Sequence, residues 1–63
     1  MDGMVKKAFR DLLERHDWNY QYSDDRAAFR KGMFEANMIR RETKADPELA
    51  QMLADYKAEK GIA

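Results

Sequence analysis

One stretch, Ser23 to Lys44, takes up about a third of a 63-residue chain and restricts what the rest can form. Ser23 can cap a helix by accepting a bond from one of the first free backbone N–H groups. Asp24 and Asp25 follow it, placing negative charge at the positive end of the helix dipole. Turned by about 100° per residue, Ala28, Phe29, Gly32, Ala36 and Ile39 fall on one face. Ala27, Phe34 and Met38 fall on a second face, about 150° away. Arg26, Arg30, Asn37, Arg41 and Lys44 line the sector between, while Lys31, Glu35 and Glu42 occupy much of the remainder.

Two expectations follow from this wheel. A mid-helix glycine costs roughly 0.5–1 kcal/mol relative to alanine, so Gly32 needs a reason. Small residues at 28, 32 and 36 make a groove in which another helix can approach closely. A helix with two apolar stripes, where one is usual, has neighbours on two sides. Those neighbours are either two parts of its own chain, or one part and a partner.

A chain this short buries only about 60% of the surface its unfolded form exposes. With 38% of its residues charged, the core must be thin. Small scaffolds generally add a disulfide, a metal or a second subunit. The chain has no cysteine, which removes the disulfide and the thiolate ligands of zinc. Self-association or a bound partner is therefore the expected staple, and a homodimer is one form of it.

Lys plus Arg equals Asp plus Glu, so the formal charge is zero, whereas a dedicated nucleic-acid binder is more often basic. No apolar run approaches the roughly 18 residues of a membrane span. Lys6, Lys7, Arg10 and Asp11 interrupt any secretory apolar region, and Gly3 is not placed for myristoylation. A soluble cytoplasmic protein with no membrane partner is the expectation.

Taken in order, residues 4–16 form a first helix with Val5, Ala8, Phe9, Leu12, Leu13 and His16 as one buried stripe and Asp2 as its cap. Residues 17–22 break this period. Trp18, Tyr20 and Tyr22 alternate with Asn19 and Gln21, the spacing of an extended segment, and predict an aromatic connector laid over the helix junction. The long helix then spans 23–45, because Pro47 disfavours helical geometry at Asp46. Asp46 caps a third helix, 47–60, with Pro47 in its first turn and Leu49, Met52, Leu53 and Tyr56 as its stripe. Gly61 stops it, and Ile62 can fold back onto Tyr56. The predicted fold is all-α: a single three-helix domain over 1–63, a helical hairpin with an aromatic connector plus a shorter C-terminal helix.

No motif for chemistry emerges. Asp17, Asn19 and Gln21 imitate the start of a calcium loop, but Tyr22 and Ala28 stand where glycine and a bidentate glutamate are needed. His16 with Asp17, Asp24 and Asp25 is better read as a cation at a helix end beside capping acids than as a metal site. Ser23 and Thr43 suit helix ends, and no third group or oxyanion hole accompanies His16 as a base. Gly3, Gly32 and Gly61 are too scattered to cradle a phosphate. No catalytic residue, metal ligand or cofactor is expected.

A binding role remains. Phe34 and Met38, with Arg30 and Arg41 around them and Trp18 and Tyr20 nearby, have the composition of a protein interface. The expected function is a small accessory, adaptor or inhibitor that binds a larger protein. The alternative is a DNA- or RNA-binding regulator using Arg26, Arg30, Asn37, Arg41 and Lys44, since arginine suits phosphates and base edges.

Overall fold

A computed structural model describes residues 2–62, except for the side chain of Asp2. The protein is a small all-α domain of three helices: α1 (Asp2–Arg15), α2 (Arg26–Ala45) and α3 (Pro47–Lys60). A single 3₁₀ turn, Tyr20–Tyr22, lies in the segment between α1 and α2. The capping role expected of Asp2 falls outside the described side chains.

The helix boundaries are set by side chains. Asp25, not Ser23, caps α2: its Oδ1 accepts the Ala27 N–H at 2.9 Å. Ser23 works one step earlier, its Oγ accepting the Asp25 N–H at 3.2 Å and shaping the approach. Asp46 serves both neighbouring helices. Its N–H donates to the Glu42 carbonyl at the end of α2, and its Oδ1 accepts the Glu48 N–H at 2.9 Å, with Pro47 beginning α3. Gly61 takes φ +70, so that its N–H reaches the Ala58 carbonyl and the Ile62 N–H reaches Lys57 at 2.8 Å. This is a Schellman end, accompanied by Ile62 packing onto the core.

The core is thin, as the composition requires. It consists of Phe9, Leu12, Leu13, Ile39, Leu49 and Tyr56, with Trp18, Met38, Met52, Leu53 and Ile62 packed around it. Leu13 and Leu49 are the most deeply enclosed. Removing either to alanine costs about 2–5 kcal/mol, a large part of what a chain this size holds. The stripe expected on α1 is shorter than drawn, because Val5 is 52% exposed and Ala8 is exposed too.

Both flanking helices cover the same half of α2. His16, just after α1, reaches Glu35, and Lys6 near its start reaches Glu48 of α3 at 2.8 Å, so α1 lies across the junction of α2 and α3, with Val5, Phe9 and Leu12 beside Met38 and Leu49. On another side of α2, Leu53 and Lys57 of α3 share a groove with Ala36, Ile39 and Thr43. Neither helix extends over residues 26–34. Apart from Ala28 and Gly32 that segment is exposed, and the connector packs on it through Tyr20; the whole chain measures 37 × 22 × 18 Å.

The connector is the main departure from expectation. It is not extended. Asp17 Oδ1 accepts the Asn19 N–H at 2.9 Å, and the chain turns into the 3₁₀ bend through Tyr22 N–H to Asn19 and Ser23 N–H to Tyr20. An isolated strand has no partner for its backbone groups, whereas a tight turn satisfies several of them internally.

Candidate binding face

Three structural features converge on the amino-terminal half of α2. The first is a polar and aromatic lock that anchors it. His16 Nδ1 lies 2.9 Å from Glu35 Oε1, with both residues buried, 5% and 8% exposed. With the carboxylate accepting, Nδ1 carries the hydrogen. Trp18 stands edge-on to the His16 ring at 4.8 Å, and its Nε1 donates to the Leu13 carbonyl at 3.1 Å. Tyr20 lies 5.6 Å from His16 and 5.8 Å from Phe29, centroid to centroid. Trp18 also stacks on Tyr56 at 6.0 Å and sits beneath the Lys57 ammonium. Trp18 and Tyr20, expected at an interface, are half-buried in these contacts. Glu35, expected among the wet residues, is buried, and His16 at the end of α1 is its partner.

The second feature is the seat for Tyr20. The close approach expected at Gly32 is present, but what approaches is this ring and not another helix. A Cβ on Gly32 would overlap Cβ and Cγ of Tyr20 and lie 2.9 Å from Cδ2. Glycine is required because the root of the tyrosine side chain rests on the helix backbone.

The third feature is the surface left outside. Phe34 is 63% exposed, Met33 45% and Phe29 38%. Phe34 and Met38, expected to act together, are separated: Met38 packs on the core and lines a groove of about 380 Å³ with Val5, Ala8 and Leu12 of α1, while Phe34 stays outside. Arg26, Arg30, Asn37, Arg40, Arg41 and Lys44 are all exposed. At about 100° per residue they share one sector, roughly 120° wide, with Met33 and Phe34.

No acid of α2 lies in this sector. Glu35 is buried, and Glu42 faces the α1 side, where it lines the Met38 groove. Asp24, in the approach to α2, borders a shallow groove of about 280 Å³ with Arg26, Phe29, Arg30 and Met33. Among the described residues, ion pairs join Lys6 to Glu48 and Arg10 to Glu14 and Glu59, and His16 meets Glu35. None involves a cation of the outer face of α2, where Arg40 donates to Asn37 Oδ1 at 3.3 Å. A chain with no net charge has thus gathered five cations, Arg26, Arg30, Arg40, Arg41 and Lys44, on one side of its longest helix. Arg40 and Met33 belong to this face, and the sequence reading had not singled them out.

Among the described residues no three of His, Asp and Glu come together as metal ligands. The groove between α2 and α3, about 210 Å³, has Arg40, Lys57, His16 and Thr43 as its polar lining and no nucleophile–base pair. Among the described residues no helix is long and apolar enough to cross a membrane. Compared with protein-family models, with curated proteins and with solved structures, the chain matches none of them.

Proposed function

We propose that the protein is a small interaction module, an accessory, adaptor or inhibitor acting in the cytoplasm, that binds a larger protein through the outward face of α2. The observation that carries this reading is Phe34, 63% exposed amid arginines on a helix segment that neither α1 nor α3 covers. A large aromatic is expensive to leave in water, and aromatics, methionine and arginine are the residues enriched at interface centres. Phe34 and Met33 would form the centre, with Arg30 and Arg41 at the rim.

A nucleic-acid partner is the second reading, and the absence of acid on the face favours it. The apolar centre weighs toward protein, because base edges and phosphates offer Phe34 and Met33 little apolar surface. Pairing of two copies through this face is opposed by five like charges on each.

Affinity capture from cells of the source, with and without nuclease, tests the proposal. Wild type should retain a protein after nuclease treatment, and Phe34→Ala should lose it while keeping its helicity. Recovery that disappears with nuclease would replace a protein partner with a nucleic acid. Recovery unaffected by Phe34→Ala would remove α2 as the surface.

A further inference from the structure

We infer that the occupant of this face is an acidic amphipathic helix of another protein, laid lengthwise along α2; this rests on the protein-binding reading above. The argument is one of order along the axis. Arg26 and Arg30 stand at one end, Met33 and Phe34 follow, and Arg40, Arg41 and Lys44 stand at the other end. At 1.5 Å per residue the two cationic groups are separated by roughly 15–20 Å, with the apolar pair between them. The complement is an element of four to five turns with acids at both ends and apolar side chains in the middle.

A helix fits that complement. The stripe is straight and repeats with the helical period, so a second rod at about 8–10 Å keeps all of it in contact. Arginine stems long enough to reach around such a rod leave their guanidiniums beside its flanking carboxylates. Residues 26–34 leave room for it, because all but Ala28 and Gly32 are exposed and the connector packs on the inner side, through Tyr20 against Gly32 and Phe29. A second copy of this chain lacks the complement. Antiparallel pairing sets Arg26 and Arg30 against Arg40, Arg41 and Lys44, with only Asp24 and Asp25 as acids at the end, the latter already holding the α2 cap.

Three fluorescent probes decide it by anisotropy: a helical peptide of about 20 residues with glutamates in its end turns and a leucine stripe between, its counterpart with lysine for glutamate, and a DNA duplex of about 20 base pairs. The acidic peptide should bind with a Kd on the order of tens of micromolar in low salt, weakening as salt is raised. Arg30→Glu combined with Arg41→Glu should weaken it at least tenfold, and Phe34→Ala about tenfold. All three positions are exposed, so circular dichroism should be unchanged. The lysine peptide should not bind. Equal binding of the two peptides, or no effect of the variants, overturns the inference, as does duplex binding that the arginine changes abolish. If the acidic peptide fails while nuclease-resistant capture still depends on Phe34, the partner is a protein of other chemistry. If both fail, the protein-binding reading falls with it.

Discussion

Gly32 and Tyr20 illustrate how one residue can be legible in a sequence while its neighbour is not. A glycine inside a long helix signals close approach, and close approach is what the structure has. Spacing along the helix suggested a groove for another helix, but the contact comes from a side chain in a turn, which helical periodicity does not encode. The consequence is specific. Gly32→Ala should destabilise the fold by about 1–3 kcal/mol through overpacking, despite the better helix propensity of alanine. Tyr20→Gly, which removes the overlapping Cβ as well as the ring, should recover part of that loss in the double variant, giving a positive coupling in chemical denaturation. Additive losses would show that the two do not meet.

Glu35 was misplaced for a similar reason. On the wheel it lies about 40° from Ile39, close enough to be buried, but its charge reads as wet. The available signal was His16, a lone imidazole on an apolar stripe, which needs a polar partner once buried. Glu35→Ala leaves that imidazole unpaired and should cost about 3 kcal/mol; Glu35→Gln, which keeps an acceptor, should cost less. Urea titrations of the two variants check the order, and equal losses would contradict a hydrogen-bonded role.

At the scale of elements, the three helices and their ends were readable because each rests on local chemistry. Pro47 after Asp46, and Gly61 after Lys60, mark a start and a stop from sequence alone. Asp46 is used twice, closing α2 with its N–H and opening α3 with its carboxylate. Asp46→Ala should therefore cost about 1 kcal/mol through the lost cap, lowering the melting temperature by several degrees. An unchanged melt would mean the carboxylate is dispensable there. The start of α2 was missed by three residues, since Ser23, Asp24 and Asp25 are all competent caps and only the path of the preceding turn selects Asp25. That path was hidden because aromatic alternation in Trp18, Tyr20 and Tyr22 imitates a strand, whereas the Asp17–Asn19 turn starts a 3₁₀ bend.

For the whole molecule, what matters is how little of α2 its own chain covers. Two apolar stripes on that helix suggested two neighbours, and the structure divides them unevenly. One stripe sends Ile39 into the core and seats Tyr20 on Gly32, while the other divides at Met38, which packs inward, and Phe34, which does not. Sequence alone left that division open, because it depends on where α1 stops, with His16 turning away at Glu35 one residue beyond Phe34. The result is a helix held by the connector and the His16–Glu35 pair over its first half and by α3 over its second, presenting over its full length a basic face with an apolar centre. Hydrogen–deuterium exchange on the protein alone and on its captured partner complex tests this most directly. Binding should slow exchange in peptides spanning residues 26–45 and leave the buried half of α1 and the carboxy-terminal turns of α3 unchanged. Protection confined to α1 or α3, with α2 exchanging as in the free protein, would contradict it.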